Sequence, residues 1–291
     1  MKKVCVRFTL WVFRVICLAP ISVSLRLGRL LGRALCIFAR HRRMVCEKNI
    51  RVCFPNLSAQ QQKDLVLRCF EENGVGLIET GWAWNRGPSF FESKLVSVGE
   101  DKVKQLLAKN TGILLLCPHY SMLDIVAPLL HQVVGKFVIS YRPNENQALD
   151  QAICDGRARY GTLVNVRSVR AMVNHLKNGE LAWFGPDQDM GPKGSVFAPF
   201  FGNPACTVTT PSRLAKMSGC ETFFLDLHRE AGVYHMSFVP MPSGYPFSDE
   251  VRNATELNNL IELALTKYPE QYMWMHRRFK TNPDQTRHTF Y

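Results

Sequence analysis

The sequence predicts an α/β domain, a mixed and mostly parallel sheet flanked by helices, led by a basic, apolar N-terminal helix. Three observations predict it. Short apolar runs recur along the chain between stretches of helical periodicity, the order that builds a parallel sheet covered by helices. At 291 residues, 46% hydrophobic and 21% charged, the chain can bury one large core and is too apolar for disorder. Its basic charge is not spread over the domain but gathered at one end.

That end comes first. Residues 1–51 hold twelve Lys and Arg against Glu47 alone, so +11 of the net +12 lies there and the other 240 residues are close to neutral. Val4 to Leu25 is strongly apolar, but Arg7 and Arg14 interrupt it. The longest uncharged piece, Val15 to Leu25, falls short of the ~20 residues a clean spanning helix needs. The two arginines are seven apart and share one helical stripe, where they can snorkel to headgroups. Two readings stand: a short, tilted transmembrane helix, or an amphipathic helix lying in the interface. A cleaved signal peptide is disfavoured, since arginines break the apolar region and no A-x-A site follows. The expectation is a membrane anchor over residues 1–40 and a folded domain over 41–291. The basic cluster after Leu25 puts the bulk of that domain on the cytoplasmic side. Charge confined to an apolar terminus suits an anionic membrane surface. Nucleic acid is the weaker partner, because no zinc finger or RNP-type motif accompanies the charge.

Beyond the anchor, Ser58 caps a helical pattern to about Ile78, with Leu57 as a staple residue before it. The continuous apolar run Ile113 to Cys117 reads as a buried strand. Phe137 to Tyr141, Leu181 to Phe184, Thr222 to Leu227 and Tyr234 to Val239 read as further strands. Helical patterns fall at Gln147 to Tyr160, Val169 to Lys177, Pro211 to Met217 and Thr255 to Tyr268. The ten cysteines form no CxxC pair, no histidine spacing marks a zinc site, and several cysteines sit in apolar runs. The reading is a reducing compartment, with no disulfide framework and no metal.

Chemistry gathers at strand ends. His119 and Asp124 follow the Ile113 strand. Five residues apart, they diverge by about 140° on an ideal helix. They meet only if His119 lies in the turn and Asp124 in the first turn of the next helix, with Ser121 as its N-cap. A carboxylate there would hold one imidazole nitrogen and leave the other as a general base. Taken alone, the pattern is weak and reads better as a turn histidine followed by a capping carboxylate. Pro128 is expected to kink the helix that follows. The turn after the Leu181 strand, Gly185 to Ser195, carries Asp187, Asp189 and Lys193; it is a ligand-contacting strand end or merely a well-made turn. The run Val196 to Phe201 lines an acyl pocket or is plain core. At the Phe137 strand end stand Tyr141-Arg142-Pro143-Asn144, with Arg157 and Arg159 downstream; surface charge is the better reading of Arg157. Tyr272 to Lys280 is aromatic and basic, either ligand-contacting or an amphipathic helix closing the core.

Taken in order, His119-x4-Asp124, Tyr141-Arg142-Pro143-Asn144, Asp187-Gln-Asp-Met-Gly-Pro-Lys193, Val196-Phe-Ala-Pro-Phe-Phe201 and Pro269 to Lys280 resemble the late (secondary) lipid A acyltransferases. These are the lauroyl/myristoyl transferases of the lysophospholipid acyltransferase superfamily. The likeness runs over nearly the whole chain, including Asn49 to Ser58. The resemblance implies a glycerolipid-acyltransferase-like fold and transfer of a fatty acyl chain to a hydroxyl of an anionic, Kdo-bearing lipid A precursor. It implies an acyl carrier protein as donor and a place on the cytoplasmic face of the bacterial inner membrane. By position, His119 would be the base and Asp124 its partner. Arg142 would engage a phosphate of the acceptor, Asp187 and Asp189 would match the acidic turn near the reacting groups, and Lys193 would be a further substrate-binding residue. Many members carry Glu where this chain has Asp124. A thioester is activated enough for base catalysis with oxyanion stabilisation, so no cofactor is expected; N–H groups at the start of the helix after His119 are the expected oxyanion donors. The rivals are a glycerolipid acyltransferase and a non-enzymatic membrane or nucleic-acid binder. A serine hydrolase is disfavoured, as no GxSxG elbow exists.

Overall fold

The computed structural model describes residues 16–17, 19–283 and 290–291. The apolar stretch expected from Val4 lies outside the described residues up to residue 15. Among the described residues no helix is long and apolar enough to cross a membrane.

Three helices lead: α1 (Ile21–Phe38), α2 (Arg40–Cys53) and α3 (Ala59–Asn85). Helix α3 starts where the sequence says it should. Ser58 and Gln61 form a reciprocal capping box, with the Ser58 N–H donating to Gln61 Oε1 at 2.8 Å. It runs to Asn85, one turn or more past the expected end. Helix α1 lies on α3 at backbone contact, because a Cβ on Gly74 would sit 2.1 Å from the Gly28 carbonyl oxygen. The buried side of α1 is therefore Ser24, Gly28 and Gly32, and its long apolar side chains point outward.

A seven-stranded sheet follows. Its strands are β1 (Leu95–Val98), β2 (Ile113–Leu116), β3 (Phe137–Tyr141), β4 (Gly161–Asn165), β5 (Leu181–Phe184), β8 (Glu221–Glu230) and β9 (Val233–Pro240), in the order β1-β9-β8-β2-β5-β3-β4. β8, β2, β5, β3 and β4 run parallel, while the hairpin partner β9 and the edge strand β1 run the other way. The mixed, mostly parallel sheet is thus as expected. β2 and β5 are central and buried at every residue, which is why their sequences read as unbroken apolar runs. Helices α4 (Glu100–Ala108), α5 (Val126–Val134), α6 (Gln147–Ala158), α7 (Val169–Lys177), α8 (Thr210–Ser218) and α9 (Glu250–Lys267) flank the strands. A separate antiparallel pair, β6 (Ser195–Phe200) and β7 (Asn203–Val208), carries the Val196 run. Strands β1 and β4 and helix α4 are too short and too mixed in polarity to announce themselves in the sequence.

Two local expectations are corrected. Ser121 does not cap a helix: its hydroxyl is buried without a hydrogen-bond partner among the described residues, and a 3₁₀ turn, Leu123–Ile125, precedes α5. Pro128 is then the third residue of α5, in the first turn, where a missing N–H costs no ladder bond and forces no kink.

Candidate active site

Strand register builds the site. β2 and β5 are neighbours with Leu116 opposite Phe184, and the pairing continues one step as the Cys117 N–H donates to the Phe184 carbonyl at 3.0 Å. His119 and Asp187 each lie three residues beyond that register pair, at the carboxyl ends of adjacent parallel strands. The site therefore lies at the carboxyl edge of the sheet, between its central strands, where open α/β folds place ligands.

Asp187 grips His119 twice. Its Oδ1 lies 2.6 Å from the ring Nδ1, and its Oδ2 accepts the His119 backbone N–H at 3.0 Å. The Tyr272 hydroxyl donates to the same Oδ2 at 2.8 Å, and His276 Nε2 stands 3.3 Å behind that hydroxyl. The Asp187 side chain is fully buried and that of His119 is 17% exposed. Burial by itself would raise the Asp187 carboxyl, but the His119 ring and N–H, with His276 beyond, outweigh it and hold the carboxyl well below the usual carboxylate range. Ionised, Asp187 can only accept, so Nδ1 carries the ring proton and the Nε2 lone pair is available to a substrate hydroxyl.

The loop that carries His119 is pinned from three sides. Residues 271–273 lie along it like an added strand: the Ser121 N–H donates to the Gln271 carbonyl at 2.7 Å, and the Met273 N–H to the His119 carbonyl at 3.0 Å. Helix α3 presses from below at Gly76, whose Cβ would overlap the Ser121 carbonyl oxygen. At the strand end, a Cβ on Gly185 would lie 2.6 Å from His119 Cε1, so glycine there leaves room for the imidazole.

The expected partnership of His119 with Asp124 is not the one formed. Asp124 Oδ1 accepts from Arg157 Nε at 2.7 Å, and the Thr80 hydroxyl donates to its Oδ2 at 3.4 Å. The reason is the 3₁₀ turn, which aims the carboxylate at α6 while the neighbouring strand end supplies the acid that holds the ring. Arg157 is therefore no surface charge: its side chain is 17% exposed. Arg159 turns away and donates to the Trp84 carbonyl. Asp124 and Arg157 line a cleft with Leu123, Val126, Ala127, Phe137, Ile139 and Trp183, apolar apart from that ion pair.

The remaining expected site residues separate. Asp189 is spent on the protein itself: Gly191 N–H, Thr281 N–H and the Thr281 hydroxyl all donate to its carboxylate, at 2.9, 2.6 and 2.8 Å, fastening the turn to the C-terminal segment. Arg142 and Lys193 are exposed and make no ion pair among the described residues. The expected oxyanion donors are also partly used, since the N–H groups of His119, Tyr120 and Ser121 go to Asp187, Pro118 and Gln271. The C-terminal block is not a helix. It is an irregular segment with Tyr272, Trp274 and Arg278 buried, Arg278 donating to the Cys206 carbonyl and the Thr207 hydroxyl. Tyr272 and His276 lie in the aromatic, basic stretch the sequence singled out, but nothing in it marked these two for the site; its single histidine was the one available sign. Along β6 and β7, Ala198, Phe200, Ala205 and Cys206 are buried, and Phe200 packs at 6.5 Å from Trp274, a core role for the Val196 run.

Comparison with known proteins converges on one family. The profile described as bacterial lipid A biosynthesis acyltransferase matches residues 2–281. The lipid A biosynthesis lauroyltransferase of Escherichia coli (strain K12) is 34% identical over 91% of this chain and 88% of its own. The lipid A biosynthesis palmitoleoyltransferase of the same organism is 33% identical over 91% and 87%. Among solved structures, the 1-acyl-sn-glycerophosphate acyltransferase PlsC from Thermotoga maritima aligns over 85% of this chain and 95% of its own, with a TM-score of 0.38 and 16% identity, too distant to bear on function. With a family profile spanning nearly its whole length and relatives above 30% identity, the chain belongs to the bacterial lipid A biosynthesis acyltransferases.

Proposed function

We propose that this enzyme transfers a fatty acyl chain of the lauroyl/myristoyl class from an acyl-carrier-protein thioester to a hydroxyl of an anionic, Kdo-bearing lipid A precursor, with His119 as general base. The observation that carries the mechanism is the buried Asp187 on His119 Nδ1, which leaves Nε2 free to take the proton of the attacking hydroxyl. The hydroxyl oxygen attacks the thioester carbonyl, the C–S bond breaks, and His119 returns the proton to the departing thiolate. The apolar cleft of Leu123, Val126, Phe137, Ile139 and Trp183 takes the acyl chain, and the Asp124–Arg157 pair at that cleft positions the polar end. Arg142 and Lys193, exposed and unpaired among the described residues, meet acceptor phosphates.

Helix α1 supports a place on the membrane. Its exposed apolar residues Leu27, Leu30, Leu31, Ile37 and Phe38 form one face, with Arg26, Arg29 and Arg33 at its border. Such a helix lies in the interface, apolar face down and guanidinium groups at lipid phosphates. The protein works at the cytoplasmic face of the inner membrane. Acyl carrier protein is acidic, and the basic terminus speeds its docking.

The test is transfer from a panel of acyl-carrier-protein thioesters of increasing chain length onto Kdo₂-lipid IV_A by purified protein, with His119→Ala beside it. Transfer that is lost in the variant supports the assignment, and the panel identifies the preferred chain. Transfer to lysophosphatidate but not to the lipid A precursor overturns it.

A further inference from the structure

Away from His119, the β8–β9 hairpin gathers three metal-ligating side chains that the mechanism does not use. In the antiparallel register His228 stands opposite His235, and Glu230 is two residues from His228 on the same strand, so all three project from one face. One ligating atom from each lies within 4.8 Å of the others. The linear spacing hid this, because the hairpin turn separates the two histidines by seven residues while pairing them in space.

We propose that His228, Glu230 and His235 bind one divalent transition-metal ion of the zinc class near the tip of this hairpin. Two imidazoles and a carboxylate suit zinc, nickel or copper, and not magnesium or calcium, which require oxygen donors. The His228 Nδ1 is buried without a hydrogen-bond partner among the described residues. Its ring stacks on His235 (centroids 4.9 Å, 7° between planes) and on Tyr268 (4.3 Å, 17°). Parallel rings cannot both aim in-plane lone pairs at one ion, so loading turns one of them about its Cβ–Cγ bond. The carboxylate already has the outer partner usual for a metal ligand, the Tyr268 hydroxyl donating to Glu230 at 3.1 Å. Asp226, on the same face, adds negative charge, opposed by Lys267 from the end of α9. Exposed Glu230 leaves the site open to solvent, and three protein ligands leave room for water, so the site binds less tightly than a closed structural one. The ion would tie the hairpin to Tyr268, where the chain turns towards Gln271 and the segment laid along the His119 loop.

The experiment is calorimetric titration of Zn²⁺ into the full-length, chelator-treated protein carrying no polyhistidine tag, with thermal unfolding measured in parallel. Wild type takes up one equivalent and melts higher, and millimolar Mg²⁺ does not compete. His235→Ala and Glu230→Gln each weaken binding by about tenfold or more. Glu230 is exposed, so its variant leaves the fold undisturbed. His175→Ala, at a surface His–Glu pair, binds as wild type does. Uptake unchanged in both hairpin variants, or no uptake by wild type, overturns the proposal.

Discussion

Asp187→Asn tests the site most directly, because its outcome follows from counting donors. The carboxylate accepts from three: the His119 ring Nδ1–H, the His119 backbone N–H and the Tyr272 hydroxyl. An amide has one oxygen. The backbone N–H cannot stop being a donor, whereas the imidazole can exchange tautomers. The amide oxygen therefore stays on the backbone side and its NH₂ faces the ring. Nδ1 must then accept, the proton moves to Nε2, and the lone pair that would take the substrate proton is gone. The wrong tautomer in a serine-protease triad costs about 10⁴ in kcat, so a loss of ~10³–10⁴-fold is expected here, about 4–5 kcal/mol of barrier. The assay is single-turnover acyl transfer to the lipid A precursor by wild type, Asp187→Asn, His119→Ala and the double variant. The double variant should be no slower than His119→Ala, since the two residues act as a unit. The reasoning is refuted if Asp187→Asn keeps more than about a tenth of the wild-type rate, within the reach of a lost peripheral contact. It is equally refuted if Asp124→Asn falls to the His119→Ala floor while Asp187→Asn does not, since Asp124 would then be the working partner.

Three further outcomes are expected. Gly185→Ala, whose methyl would lie 2.6 Å from His119 Cε1, displaces the imidazole and lowers kcat by about 10²-fold with the melting temperature nearly unchanged; full activity in the variant would mean that the loop absorbs the methyl. Stability should fall on acidification, because burial pushes the His276 imidazole from 6.5 down to about 4 while the unfolded chain protonates near 6.5. The loss is absent above pH 6.5 and complete below about pH 4, of order 3 kcal/mol, and His276→Asn should flatten that part of a melting-temperature profile. Asp187 adds a second acid-labile component of the same sign below the ordinary carboxylate range, since its folded carboxyl is held lower than its unfolded one. Gly74→Val, placed where a Cβ would meet the Gly28 carbonyl oxygen at 2.1 Å, should prise α1 from α3, at a cost of about 1–3 kcal/mol or more by chemical denaturation, and weaken vesicle binding; binding and stability like wild type would exclude this packing.

What the sequence determined by itself is what local periodicity and local motifs encode. Ile113 to Leu116 and Leu181 to Phe184 read as buried strands, because strands covered on both faces show unbroken apolar runs without polar alternation. Ser58 announced the start of α3, and the structure completes its capping box with Gln61, within four residues. The order of motifs pointed to the family, and His119 to the chemistry. The carboxylate that holds His119 was decided only by tertiary structure. Asp124, five residues away, was the near candidate, but Asp187, 68 residues away, is the partner, because β5 pairs with β2 and sets both strand ends in register. Register between strands is fixed by packing of the whole sheet and leaves no local trace. For the same reason Arg157 read as surface charge until α6 was seen to bring it to Asp124, 33 residues earlier. Tyr272 and His276 reach Asp187 because an irregular segment after α9 lies against the His119 loop. Periodicity sees neighbours along the chain. The site is made of neighbours across it.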